Sequence, residues 1–334
     1  MIDLITIVTL PLSDEKINHI VWRNHLQTNS KDGEVCYSNE KTKNFIQQKG
    51  IYINIDTTKR VRIEGSLHKH FNEVSGYDRN NYNMFLMSEA KKSVDVLLFE
   101  KGIDQGDARV YSYEIGLNLN MSKDCRAYLD KMLSIGAVGD ERALYVNPLY
   151  VNPRHRNERM KVTGHKKVRK YFKVYDKVFE CMDKKRKIIP DGNILRIETV
   201  YKRLDNCSIA SFFHPDNLQK MIEAFFKDWR TVKFEQSIIT PKGTGRAKQN
   251  LCMEIINKGR DAVLTEAKQR HTGGSLSDWE LRNIRYFIAH EWDDIKGSIV
   301  FIQSEEEKEF RKLMKENHTI LRNDDFINIL KNGN

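Results

Sequence analysis

The sequence predicts an α+β protein, a mainly antiparallel sheet with packed helices, followed by a helical C-terminal region. Three observations carry that prediction. Short β-branched segments with two-residue alternation recur from the first residues to about residue 201. Capped amphipathic segments are interspersed among them, and several connections are too short for parallel crossovers. From Pro215 onward helical periodicity dominates.

The elements follow in order. "DLITIVTL" is short, β-branched and without a basic leader, so it reads as a first strand rather than a signal peptide. "IYINID" and "RVRIEGSL" supply two more strands around a Thr-Thr-Lys turn, the second running on into "HKHF". "GYDRNNYNMF" is a loop, and "SEAKKSVDVLLFEKG" a helix capped by Ser88 and stopped at Gly102. "ARVYSYEIGLNLNM" has the cleanest alternation in the chain. Ser122 then caps a predicted helix, "KDCRAYLDKMLSI". "GHKKVRKYFKVYDK" gives a basic strand and "NILRIETVY" the next one. Five helical segments follow, from "DNLQKMIEAFFKDW" to "EEEKEFRKLMKEN". The Pro, Gly and basic cluster of "IITPKGTGRAK" places a domain boundary near residue 240, separating residues 1–240 from 241–334.

Charge is distributed unevenly over this plan. The chain has 334 residues, is 40% hydrophobic and carries a net charge of +10. Residues 1–240 hold 40 Lys/Arg against 31 Asp/Glu, whereas residues 241–334 hold 16 against 15. A polyanionic partner is therefore expected at the first region. The five cysteines are scattered and never form CxxC, which argues against a disulfide framework or a thiolate zinc site and for a reducing compartment. No apolar run approaches the ~18–20 residues of a membrane span, so no membrane is expected and a cytoplasmic location is.

Four polar strand faces are candidates for chemistry. In the basic strand, Arg169, Tyr171, Lys173, Tyr175 and Lys177 share one parity, and Val168, Phe172 and Val174 the other. Between Lys166 and Lys187 there are ten Lys/Arg and three acids. Lysines interleaved with tyrosines suit a groove that follows a phosphate backbone and stacks bases, although lysines also protect ordinary edge strands. A lysine two residues from a tyrosine can stabilise a phenolate or the phosphoryl oxygens it attacks. On "ARVYSYEIGLNLNM", Glu114 is the single acid of the polar side, among Ser112, Asn118 and Asn120. On "NILRIETVY", Arg196 and Glu198 share a face, as a charged pair or as part of a metal site. The triplet His68-Lys69-His70 places two imidazoles on one strand parity, which suits either a divalent metal or a phosphate-facing edge.

Taken together, "VYDKVFECMDKKRKIIPDGNILRIETVYKRL" has the order Tyr-x-Lys, an acid, then Arg-x-Glu with a basic tail. This resembles the replication initiators of filamentous phages, the gene II type, and more distantly the rolling-circle initiators of staphylococcal-type plasmids. "MIDLITIVTLP", "VRIEGSLHKHFN" and "YSYEIGLNL" resemble further segments of that family in the same order, over roughly residues 1–235. The resemblance implies an HUH/Rep-like nuclease fold and a tyrosine nickase. Such an enzyme nicks and rejoins one strand of a double-stranded origin through a covalent 5′-phosphotyrosine, with Mg²⁺ or Mn²⁺. It implies Tyr175 as nucleophile with Lys177 beside it, Tyr171 as the competing tyrosine, and Glu114, Glu198 and His70 as metal ligands. Lys69, Lys166, Lys167, Arg169, Lys170, Tyr171 and Lys173 would contact double-stranded and single-stranded DNA. A bacterial host cytoplasm and a host helicase as partner belong to the same expectation. The alternatives are a non-catalytic DNA-binding regulator, and a metal-dependent nuclease or transposase that uses water.

Overall fold

The computed structural model describes residues 2–31, 34–39, 50–136, 142–143, 145–146, 151–152 and 170–322. Its chain divides into two units: one comprises Met1–Asp130, Ser134–Val232 and the segment from Phe310 on, the other Lys131–Leu133 and Lys233–Glu309.

The first unit is built on an antiparallel sheet of eight strands. These are β1 (Ile2–Thr9), β2 (Gln27–Lys31), β3 (Glu34–Ser38), β4 (Tyr52–Ile55), β5 (Val61–Ser66), β6 (Ala108–Met121), β7 (Lys170–Asp176) and β8 (Asn193–Ser208). Their spatial order is β7-β8-β6-β1-β5-β4-β3-β2. The first helices are α1 (Asp14–Arg23), α2 (Leu67–Val74), α3 (Met87–Lys101), α4 (Cys125–Leu129), α5 (Lys177–Asp183), α6 (Ile209–Phe212) and α7 (Pro215–Arg230).

Alternation decides which side of the sheet is covered. Ile5, Ile7, Ile63, Ile115, Leu195 and Ile197 are fully buried. On α7, Leu218, Ile222, Phe225, Phe226 and Trp229 recur at helical spacing and are likewise buried. Trp229 meets the edge of Phe172 at 5.9 Å, and its indole N–H donates to Thr199 Oγ1 at 3.1 Å. This contact closes the apolar side of β7 and β8. The opposite parity carries Lys173 and Tyr175 on β7, Arg196 and Glu198 on β8, and Glu114, Gly116 and Asn118 on β6.

Several expected elements change. The strand begun by "RVRIEGSL" ends at Ser66, whose hydroxyl accepts from Lys69 N at 3.2 Å and caps α2. His68, Lys69 and His70 therefore lie on a helix, where residues two apart do not share a face. Lys177 is also helical: Asp176 accepts from Phe179 N and starts α5 directly after β7. The helix predicted after Ser122 is only the five residues of α4, capped by Asp124, and Met132–Ile135 is a strand. Helix α3 begins at Met87 rather than after Ser88, and it does end at a left-handed Gly102, as expected. Lys166, Lys167 and Arg169 lie outside the described residues.

In the second unit, helices α8 (Arg246–Lys258), α9 (Arg260–Thr272), α10 (Asp278–Tyr286) and α11 (Trp292–Lys296) accompany one core of Cys252, Ile255, Val263, Phe287, Trp292 and Ile299 and a smaller one of Ala267, Leu276 and Leu281. One antiparallel strand pair, Ser237–Ile239 with Val300–Ile302, accompanies them. Helix α12 (Glu305–Arg322) leads from this unit into the first. No helix among the described residues is long and apolar enough to cross a membrane.

Candidate active site

The polar face of the sheet gathers its charges over β7, β8, β6 and β1. Register puts Lys173 opposite Glu198, Tyr175 opposite Arg196, and Glu198 opposite Gly116. The Tyr175 hydroxyl donates to Glu198 Oε1 at 3.0 Å. Lys173 reaches Glu198 Oε2 at 3.2 Å and also pairs with Glu114, so one ammonium bridges two buried carboxylates. Arg196 lies behind them, 2% exposed, donating to Glu198 Oε1 and, at 2.6 Å, to Asp3 Oδ2. Its remaining donors go to the Asn81 carbonyl at 2.7 Å and to Asn118 Oδ1 at 3.1 Å.

Two backbone features make room for this cluster. Ile2 pairs with Ile115 and Ile5 with Tyr113, so Asp3 and Leu4 together oppose the single residue Glu114. Such a bulge redirects a side chain, and here it brings Asp3 to the face that holds Arg196. Gly116 is the second feature. A Cβ at that position would lie 3.0 Å from Glu198 Cγ and 3.2 Å from the Ile197 carbonyl. Only a residue without a side chain lets Glu198 and Arg196 lie across the middle of β6.

The electrostatics follow from burial and charge. Burial alone would raise the Glu198 carboxyl, but Lys173 and Arg196 outweigh it and hold the group far below the usual carboxylate range. Burial acts the same way on Asp3, and Arg196 overcomes it, bringing the group to about 2. Tyr175 moves in the other direction. Burial and then the Glu198 charge push its phenol well above the ordinary value. The sequence-based expectation that Lys177 lowers this phenol does not hold at rest. Lys177 is buried and pairs with Glu180 at 2.7 Å, and its ammonium lies 6.0 Å from the centre of the Tyr175 ring. Tyr171 is half-buried on the same side of β7, its ring beneath Lys202 at 4.9 Å and Lys173 at 5.9 Å. Lys170 faces elsewhere, pairing with Asp228.

His70 does not join Glu114 and Glu198, whereas His68 lies on the Asp3 side of the cluster, close enough for each to act on the other's charge. His70 is held between Ser93 Oγ at 3.0 Å and Glu100 Oε2 at 3.1 Å, both on α3. His68 stacks on Phe85 at 4.4 Å and hydrogen-bonds Asn83 Oδ1 at 2.6 Å. Burial brings its imidazole down to about 3, so it is neutral at neutral pH. Among the described residues, no three His, Cys, Asp or Glu side chains form a group that could hold a metal ion. The expected trio of Glu114, Glu198 and His70 is thus not assembled, and the two glutamates already share an ammonium. These residues do not fit a three-ligand metal centre as they stand. Asp3, Asn81, Gly116 and Asn118 were not foreseen as parts of the site. The signals available were an acid within a β-branched strand and a glycine at the centre of the longest alternation.

No protein-family model matches the chain, and no curated protein matches its sequence.

Proposed function

We propose that this protein is a tyrosine nickase of the HUH/Rep-like type. In this reading it cleaves and rejoins one DNA strand at a phage or plasmid origin through Tyr175. One observation carries the proposal: the Tyr175 hydroxyl rests on Glu198, and the same carboxylate is shared by Lys173 and Arg196. A nucleophile, a proton acceptor and one partly exposed cation for phosphoryl oxygens, Lys173, thus meet at one point, while the buried Arg196 holds the acceptor in place.

In the proposed step a scissile phosphate docks against Lys173. The Tyr175 oxygen bonds to phosphorus, the bond to the 3′ oxygen breaks, and that oxygen leaves as a 3′-hydroxyl, protonated through a water that regains its proton from Glu198. The phenolic proton passes to Glu198. At rest Glu198 is a weak base, because Lys173 and Arg196 hold it ionised. A phosphate that draws Lys173 away weakens that hold and raises the proton affinity of Glu198. The base is thereby strengthened when substrate arrives, and the nucleophile stays protonated without it. The phosphotyrosine conserves the energy of the broken bond, so the reverse reaction reseals the strand. Lys177, packed against the ring, serves to position it. A Mg²⁺ or Mn²⁺ ion at Glu114 and Glu198 would have to displace Lys173.

The test is incubation with supercoiled DNA carrying random inserts, with and without Mg²⁺ or Mn²⁺, followed by denaturation. Nicked DNA that stays attached to protein, and is lost in Tyr175→Phe, supports the proposal. Nicking without an adduct supports a water-using nuclease. A non-catalytic DNA-binding role is the second reading, favoured by how firmly Tyr175 is kept protonated. Retardation without cleavage would support that role.

A further inference from the structure

Beside the carboxylate cluster, the loop after α2 and the end of α5 enclose a cavity of about 500 Å³. Seven of its twelve lining residues are Lys or Arg, and none is acidic. Lys69, Arg79, Lys177 and Arg186 contribute from three separate segments, and Asn81 and Tyr82 also line it. Glu180 pairs with Lys177 and Lys184, and Glu73 approaches Arg79 at 3.7 Å. Among the described residues no carboxylate forms an ion pair with Lys69, Lys185 or Lys187. Gathering so many cations costs mutual repulsion, which an anionic ligand would relieve.

The cavity adjoins the candidate active site through two shared residues. Asn81 lines it while its side chain donates to Asp3 and its carbonyl accepts from Arg196. Lys177 lines it while lying against Tyr175. We infer that this cavity binds consecutive phosphates of a single nucleic-acid strand, holding the strand next to Tyr175. One diester carries one negative charge, so the surplus of cations suits a run of phosphates. Tyr82 offers a half-buried aromatic surface on which a base can stack. The inference extends the nickase proposal to where the strand lies, but strand binding does not require that Tyr175 react.

The experiment measures fluorescence anisotropy of labelled hexathymidylate with the full chain carrying Tyr175→Phe, in EDTA, so that no cleavage intervenes. The uncharged methylphosphonate analogue is the control. Affinity for the diester strand should fall with salt, and each of Lys69→Met and Arg186→Met should weaken it about five- to tenfold. Each should also flatten the logarithmic salt slope by about 0.7. Lys187→Met, at an exposed rim position, should flatten the slope with an unchanged melting temperature. This guards against a folding artefact at the more enclosed sites. Equal affinity for the methylphosphonate, or affinities and slopes unmoved by all three substitutions, would overturn the inference. Wild-type protein that binds the strand in this salt-dependent way yet forms no adduct with DNA would sink the nickase proposal and leave the cavity's role intact.

Discussion

Replacing Lys173 with Met tests the electrostatic core of the site. The ammonium serves two carboxylates, Glu114 and Glu198, whose side chains are 8% and 3% exposed, and is itself 28% exposed. At 3.2 Å from Glu198, Coulomb's law with an effective dielectric near 20 gives roughly 5 kcal/mol of gross attraction. Desolvation cancels much of this. Exposed pairs are worth about 0–1 kcal/mol, whereas removing one partner of a buried pair costs about 3–5 kcal/mol. Partial exposure of Lys173 puts the expected loss at about 2–3 kcal/mol near pH 7. For a unit of this size that lowers the melting temperature by about 5–10 °C, measurable by circular dichroism. The pH dependence has a definite sign. Glu198 has a folded pKa below its unfolded value, so its contribution is fully present above the unfolded value, declines as pH falls below it and is lost as pH falls through the folded value. Without Lys173 the Glu198 carboxylate takes up a proton sooner, and the gap between wild type and K173M should narrow toward about pH 4. Adding Glu114→Gln to K173M should recover part of the loss, because it removes a carboxylate left without its cation. A melting temperature lowered by less than about 2 °C, or an equal gap at both pH values, would refute the reasoning.

Other substitutions give independent readings. Tyr175→Phe removes one hydrogen bond to an ionised carboxylate that keeps Lys173 and Arg196, so it should cost about 1.5–3 kcal/mol while abolishing the covalent adduct. Gly116→Ala forces a Cβ to within 3.0 Å of Glu198 Cγ and should cost about 1–3 kcal/mol by denaturant unfolding, with reduced cleavage. Trp229→Ala, at a fully buried position, should lose about 3–5 kcal/mol. His68 is held near 3, below its unfolded value, so unfolding takes up a proton between the two. Stability should therefore decline as pH falls below about 6.5, by up to about 1.4 kcal/mol per unit, and His68→Gln should flatten that decline.

How much of this was legible depended on whether a pattern was local. The alternation of residues 108–121 gave β6 with its bounds, and the same parity placed Glu114, Glu198, Lys173 and Tyr175 on one side of the sheet. The helix around Trp229 was equally clear, because its apolar stripe is continuous. What failed was set by single residues or by partners far along the chain. Ser66 reads as one more strand residue until its hydroxyl is seen capping α2, and that cap turns His70 toward Ser93 and Glu100 instead of Glu114 and Glu198. The bulge at Asp3 and Leu4 has no signature in β1 itself, since it exists only in the register against β6. Arg196 and Glu198 were visible as a pair, but Asp3, almost two hundred residues away, was not visible as the third member. The phenol of Tyr175 was expected to be lowered by Lys177. Burial beside Glu198 instead raises it, and adjacency in sequence could not tell how deep the ring would sit.

The central claim is that Tyr175, and not its neighbour Tyr171, captures a DNA end. Trypsin cuts after Lys170, Lys173 and Lys177, so the two tyrosines fall in different peptides, residues 171–173 and 174–177. Protein incubated with supercoiled DNA, digested with nuclease and trypsin and examined by mass spectrometry, should carry a nucleotide on the 174–177 peptide. A nucleotide on the 171–173 peptide, on any other residue, or on none would contradict the account.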